Sequence, residues 1–407
     1  MARLKKTLST AVIVIPTYNE ANTIGRTLDV LCTQTIPEIN QGKHGLSQPW
    51  LLKILVVDAN SPDGTGQKVE AKAKIYQNVS LLTETSKDGI GAAYYKGFQY
   101  AIQKLGADFV FEFDSDLQHP PSTIPLLLAK VEAGYDYVIG SRKIKGGSIP
   151  KGWGFKRVLF SELGGFVARF IMFFPFKNFW RVTDPTTGLK ITRVRGFIDQ
   201  MDLSDFSHLY SRSFGYKLQL LFETLKMGAR FTEIPLQFQI RTTDESKIEA
   251  KTAKDIFRVA FLLRRNDEFT KKFIKFGLVG GVGFVINLVG LNVFSRFLTP
   301  VIPAVGLRNS IANTLASELS IISNFTFNNA WTFKSQQITA ITDIISKFVA
   351  FNLSSLVGGV LVPALIVGAG THFFGDQSKN IFLVIAILGF TIPYNWTVYN
   401  RVIWKKK

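Results

Sequence analysis

The sequence predicts two architectures in tandem: an α/β domain on a mostly parallel, doubly wound sheet, then an all-α unit of four transmembrane helices. Three observations carry this. Up to about residue 140, short β-favouring runs alternate with helix-length stretches, the mark of successive βαβ units. Beyond Lys275, four stretches are almost free of charge, each about the ~20 residues that a spanning helix needs. Between these two parts, residues 142–183 hold nine Lys or Arg against the single acid Glu162, a density suited to an anionic surface.

Taken in order, strands are expected at 11–16, 53–58, 79–83, 108–114 and 135–140, and helices at 22–31, 66–76, 91–105 and 122–133. Residues 188–192 are also strand-like. No G-x-G-x-x-G follows the first strand and there is no P-loop, so a nucleotide would be gripped in another way. The N-terminal MARLKKTLSTAVIVIP resembles a signal peptide only superficially: its apolar run is short and stops at Pro16, without a small-residue cleavage site. Cys32 is the lone cysteine, so no intrachain disulfide forms.

Residues 155–174 place Phe155, Leu159, Leu163, Phe166, Val167, Phe170 and Phe174 on one helical face, with Lys156, Arg157 and Arg169 off it. Residues 251–265 repeat the pattern, with Ile256, Phe257, Ala260 and Leu263 opposing Lys254, Arg258 and Arg265. Basic amphipathic helices of this kind lie in a lipid interface, although a helix covering a core would show the same periodicity. The spans are expected at 276–295, 309–333, 348–375 and 380–400, where the only Asp, Glu, Lys or Arg is Glu318. Lys and Arg collect before the first, between the second and third, and after the fourth, which puts both chain ends in the cytoplasm. With a net charge of +18, nucleic acid is the other partner to weigh; the spans favour a lipid surface instead. Gly277 and Gly281 form a small-xxx-small pair suited to helix packing, and Glu318, ionisable inside a span, is a candidate for a role in transport, with pairing to an Asn such as Asn287 the equal alternative.

The chemistry centres on DFVFEFDSDLQHPP at 108–121. Its apolar strand breaks at Pro120 and Pro121, leaving Asp114 and Asp116 at a strand end, where open α/β sheets bind ligands. Two carboxylates so close repel by about 4 kcal/mol at 4 Å and an effective dielectric of ~20 unless a cation lies between them. A divalent metal fits, and two solvated loop acids are the plain alternative. His119 is a less favoured ligand or base.

Several stretches, in this order and spacing, resemble the polyprenyl-phosphate glycosyltransferases of the dolichol-phosphate mannose synthase family: IPTYNE (15–20), VVDANSPDGT (56–65), KDGIGAAYYKGF (87–98), DSDLQHPP (114–121), GSRKIKGG (140–147), DPTTGLK (184–190) and IRTTDESK (240–247). Residues 271–400, with NFTFNNAWTF at 324–333, more loosely resemble a GtrA-like membrane domain. The resemblance implies an A-type (Rossmann-like) glycosyltransferase domain over residues 1–250, with an interfacial helix at 155–176. A second interfacial helix or linker follows at 251–270, then a four-helix membrane domain at 271–407.

It further implies a metal-dependent, inverting enzyme. Asp114, Asp116 and Gln118 match the positions that hold Mg²⁺ or Mn²⁺, and catalysis falls to Asp114, Asp116 and Arg142. Pro16, Tyr18, Glu20, Asp58, Lys87 and Asp114 match the donor-binding positions; Tyr18 packing and Glu20 starting a helix are the structural alternatives. Arg142, Arg157, Ser161, Arg241 and Lys247 match positions that hold the acceptor phosphate. Asp184 is expected to line the sugar or acceptor pocket or to shape a turn. DAN at 58–60 departs from the usual run of acids and loosens the link to base choice.

The expected partners are a nucleotide sugar, dolichyl or polyprenyl phosphate and the bilayer, with homo-oligomerisation also considered. Mannose from GDP-mannose is the favoured transfer; glucose from UDP-glucose, or flipping of a lipid-linked sugar with the soluble part regulatory, are the alternatives.

Overall fold

The computed structural model describes residues 8–149, 155–173, 177–239 and 250–405. The chain divides into two compact units, residues 1–265 and 266–407.

The first unit is built on a seven-stranded sheet in the order β3-β2-β1-β4-β6-β5-β7. The strands are β1 (Ser9–Thr17), β2 (Trp50–Asp58), β3 (Val79–Thr83), β4 (Phe109–Glu112), β5 (Tyr137–Ser141), β6 (Lys190–Arg193) and β7 (Phe231–Pro235). β1 to β4 are parallel, as are β5 and β7, while β6 runs antiparallel between β4 and β5. The strands expected from the first 140 residues all form. β6 matches the strand-like run at 188–192, and β7 was not anticipated.

The near-continuous apolar runs of β1 and β2 reflect a sheet covered on both sides. Ala11, Ile13, Ile15, Ile54 and Val56 face one core. It is completed by α1 (Ile24–Val30), α2 (Thr65–Ile75) and α4 (Ile124–Glu132) through Leu28, Val69 and Leu127. Val12, Val14, Leu55 and Val57 face the other, under α3 (Ile90–Gln103) with Tyr94 and Phe98. Burying each such aliphatic side chain stabilises the fold by roughly 1.5–3 kcal/mol. α3 lies close enough that a Cβ on Gly97 would stand 2.5 Å from Val14 Cγ1.

A third core gathers α5 (Phe155–Phe173), α6 (Lys177–Trp180), α7 (Tyr216–Lys226) and α8 (Ala250–Asn266) around Tyr137 and Ile139 of β5. α5 turns small or slender residues inward, Gly165, Ala168 and Met172. Its apolar stripe faces outward, with Leu159, Leu163, Phe166 and Phe170 exposed. The helix covers the core with its small residues and leaves its larger apolar stripe exposed.

The second unit contains α9 (Glu268–Leu298), α10 (Val305–Phe327), α11 (Ile341–Phe374) and α12 (Lys379–Ile403). Among the described residues, α9, α11 and α12 are long and apolar enough to cross a membrane. The close α9/α10 packing does not use Gly277 and Gly281, which have open space around their Cβ positions. It uses Gly283, where a Cβ would overlap the Asn324 side chain, and Gly290, where it would lie 3.0 Å from Ala316. Glu318 accepts from Asn352 (2.9 Å), not from Asn287, which donates to Ser317 instead.

Candidate active site

The acid loop follows β4 directly. Its start is pinned when Thr27 Oγ1 of α1 donates to the Ser115 carbonyl (2.7 Å). Asp116 Oδ1 accepts from the Gln118 backbone N–H (3.1 Å), and Leu117 between them sits in the left-handed region at φ +58°. A bulky residue there costs roughly 1–2 kcal/mol, strain of a kind that concentrates at functional sites. The Gln118 amide nitrogen donates to the Gln239 carbonyl (3.3 Å), and the Gln239 N–H returns to the Gln118 carbonyl (2.9 Å). The side-chain amide oxygen of Gln118 is thus the end not used by Gln239.

Behind the loop, His119 is buried between Phe113 and Phe238, with ring centroids at 6.1 and 5.2 Å. Its Nδ1 lies 3.4 Å from Asp114 Oδ2, yet neither ring nitrogen makes a well-aligned hydrogen bond. Burial pushes its pKa down to about 4, so the ring is neutral at pH 7 and ill suited as a proton donor. The backbone of Gly188 closes on the same spot. A Cβ there would meet His119 Cε1 at 2.6 Å, Asp114 Oδ2 at 2.7 Å and the buried Lys217 Nζ at 2.9 Å.

Arg142, just past β5, is held by Asp184. Its Nε and Nη2 each donate to one carboxylate oxygen at 2.7 Å, and its backbone N–H adds a third bond at 3.1 Å. Asp184 is fully buried; burial raises its pKa, but the adjacent guanidinium outweighs this and holds the carboxyl below its usual range. Both Asp184 oxygens are engaged by Arg142. The guanidinium also lies 5.5 Å over Phe238, the ring that packs on His119. Arg142 and the acid loop therefore share one wall. Lys143 ties this corner to α5 through Glu162 (3.1 Å). Arg157 and Ser161 lie on α5, with side chains outside the described residues, as are Arg241 and Lys247 altogether.

On the expected donor side, Lys87 Nζ stands 3.5 Å over the Tyr18 ring, which joins two positions 69 residues apart (87 − 18). Pro16 is half-buried at the end of β1. Asp58 is buried and turned inward: it accepts from Thr17 Oγ1, Ser61 N and Ser61 Oγ. Glu20 accepts from Thr23 Oγ1 (2.9 Å), the residue that precedes α1. Three residues of this corner escaped the sequence: Gly188, Lys217 and Glu233. A lysine inside the apolar run of α7 was the one available signal.

Among the described residues no three His, Cys, Asp or Glu side chains form a metal cluster. Two carboxylates and an amide oxygen on one tight loop still fit Mg²⁺ or Mn²⁺. Such ions favour hard oxygen donors, and Mg²⁺ usually takes only one or two protein carboxylates beside substrate phosphates. A nucleotide diphosphate would complete that set.

The mixed sheet, with acids at the end of β4 and a buried arginine at the end of β5, defines a glycosyltransferase of the A type. Residues 12–202 match the glycosyl transferase family 2 model, and residues 270–404 match the GtrA/DPMS transmembrane domain. The chain is 30% identical over 391 residues to a dolichol-phosphate mannosyltransferase from Pyrococcus furiosus, covering 96% of this chain and 97% of that one. It is 33% identical over 235 residues to an undecaprenyl-phosphate mannosyltransferase from Micrococcus luteus, covering 58% and 86%. Among solved structures it resembles glucosyl-3-phosphoglycerate synthase from Mycobacterium tuberculosis, crystallised with Mn²⁺ and uridine diphosphate. That match has 18% identity and a TM-score of 0.44 over 63% of this chain and 80% of that one. The chain belongs to the dolichol-phosphate mannosyltransferase family of glycosyl transferase family 2 enzymes, and it is an integral membrane protein carrying the GtrA/DPMS domain.

Proposed function

We propose that this enzyme transfers mannose from GDP-mannose to dolichyl or a related polyprenyl phosphate, inverting the anomeric centre. The observation that carries this is the shared wall of Asp114, Asp116 and Gln118 with the Arg142–Asp184 pair. It sets a hard-oxygen loop for a diphosphate beside a fixed cation for a second phosphate. The names of the relatives supply the sugar.

A lipid monophosphate has a second pKa near 6 and is mostly dianionic at pH 7. Its oxygen can form the new bond to the anomeric carbon without a general base, as the bond from that carbon to the diphosphate breaks and the nucleotide diphosphate leaves. Asp114, Asp116 and Gln118 would hold a divalent ion, which would supply Lewis-acid stabilisation of the leaving diphosphate. Arg142 has its Nε and Nη2 fixed on Asp184, and the rest of its guanidinium would meet phosphate. Arg157, Ser161, Arg241 and Lys247 extend the acceptor site, while Pro16, Tyr18, Glu20 and Lys87 receive the nucleotide; Asp58 braces that strand end. The catalytic domain of residues 1–250 extends through α8, whose Val259, Ala260 and Leu263 join its third core; the exposed stripe of α5 lies at the lipid interface, and four helices in 271–407 span the cell membrane with both termini cytoplasmic.

The test is purified full-length protein with radiolabelled GDP-mannose, UDP-glucose and other nucleotide sugars, polyprenyl phosphate, and Mg²⁺ or Mn²⁺. Label from GDP-mannose should pass into the lipid phase, and EDTA or Asp116→Ala should abolish it. Transfer only from another donor would overturn the sugar assignment; full turnover in Asp116→Ala would overturn the metal site.

A further inference from the structure

Glu233 is the central residue of β7, in register with Ile139 of β5. It is half-buried. Its carboxylate accepts the Thr183 N–H at Oε1 (2.8 Å), the Asp184 N–H at the same oxygen (3.3 Å) and the Thr183 hydroxyl at Oε2 (2.7 Å). Thr183 Oγ1 also lies 2.6 Å from Ser141 Oγ, which accepts the Lys143 N–H (3.2 Å). Ser141 and Lys143 flank Arg142 on one side, and Thr183 precedes its carboxylate partner Asp184 on the other. Glu233 thus holds the Thr183–Asp184 segment directly and reaches the Ser141–Lys143 segment through the Thr183 hydroxyl.

We infer that Glu233 is a positioning residue for sugar transfer: by fixing the Thr183–Asp184 backbone it sets the plane of the Arg142 guanidinium toward the acceptor phosphate. The inference rests on the acceptor role given to Arg142 above. A carboxylate is the one side chain of this length that offers two acceptor oxygens to three donors in a row. Burial raises its pKa, the cost of placing an acid here, and the donated bonds offset part of it. Removing it leaves two backbone N–H groups and a hydroxyl without their acceptor, so the turn shifts and the fork tilts. Misplacement of a phosphate-holding group by about 1 Å costs on the order of 100-fold in rate.

The experiment uses the full-length enzyme with GDP-mannose, a polyprenyl phosphate and Mg²⁺. It compares Glu233→Ala, Glu233→Gln, Thr183→Val and Arg142→Ala for acceptor kcat/KM, for GDP affinity by titration, and for Tm. Glu233→Ala should lower acceptor kcat/KM by about 10- to 100-fold with GDP affinity within about twofold. Glu233→Gln should recover most of the loss, because its amide oxygen still accepts from both N–H groups and Thr183 can reverse its hydroxyl. Thr183→Val should fall between, and it carries the test if Glu233→Ala fails to fold. Unchanged acceptor kcat/KM in Glu233→Ala or Thr183→Val, or an equal loss of acceptor and GDP binding, overturns the inference. If Arg142→Ala itself keeps full acceptor use, the reading of Arg142 is what fails.

Discussion

At the scale of single residues, Gly188 shows how little room the site has. The space its missing Cβ would take is bounded by His119, Asp114 Oδ2 and Lys217 Nζ, all within 2.9 Å. Gly188→Ala should therefore push Asp114 aside rather than unfold the domain. Overpacking of this kind costs about 1–3 kcal/mol of stability, whereas a displaced acid should cost transfer on the order of 100-fold. Paired Tm and turnover measurements separate the two; turnover within a few-fold of wild type would show that Asp114 tolerates the shift. The carboxylates themselves were legible because they stand two apart in one loop, next to a proline pair. Lys217 and Glu233 were not: Glu233 meets Thr183 and Asp184 across 50 and 49 residues of chain (233 − 183 and 233 − 184), and Lys217 comes to the same spot as His119 across 98 (217 − 119). No local pattern records such a meeting. Asp58 and Asp184 were legible as important acids, yet a sequence does not say whether a carboxylate faces a ligand or a neighbouring hydroxyl and guanidinium.

At the scale of elements, β1 and β2 could be read because both faces of the sheet are covered there and their apolar runs are nearly continuous. β6 is harder, since it places Lys190 fully inside the sheet, 3.9 Å from the equally buried Glu112 of β4. Burial lowers this lysine to a pKa of about 8, with Glu112 opposing the shift. Glu112 Oε2 in turn accepts from Tyr216 of α7 (2.7 Å), and Tyr216 stacks on Tyr94 of α3 at 5.3 Å. Tyr94 donates to the Phe113 carbonyl (3.2 Å), one residue before Asp114. This polar layer joins the antiparallel insertion to the acid loop. Removing one partner of a buried pair typically costs about 3–5 kcal/mol, while replacing both with apolar groups can be neutral. Lys190→Met should accordingly lower Tm sharply, and Glu112→Leu combined with Lys190→Met should recover part of it. Equal Tm values for wild type and Lys190→Met would show that the pair carries no stability. β7 escaped for a different reason: FTEIP is a short edge strand that ends in proline and spends its central residue on Thr183 and Asp184.

At the scale of the whole molecule, the catalytic unit carries an exposed apolar surface of its own. Phe166 and Phe170 of α5 are 48% and 67% exposed and stack at 6.4 Å, with Trp180 edge-on to Phe166 at 6.0 Å and Arg169 5.4 Å over Trp180. An apolar stripe with arginine beside it is what an interfacial helix presents, and each basic group near an anionic leaflet adds about 1 kcal/mol. Residues 1–265 form a compact unit with three cores, so this fragment should bind anionic vesicles without the membrane helices. Flotation with vesicles containing phosphatidylglycerol should carry it to the top of a gradient. High salt should weaken the binding, because charge attraction is screened within roughly 3 Å at 1 M, but should leave an apolar remainder. Phe166→Ser with Phe170→Ser should remove that remainder, leaving binding that salt abolishes. A fragment that stays at the bottom of the gradient even at low salt would mean that the membrane helices alone bring this site to its lipid acceptor.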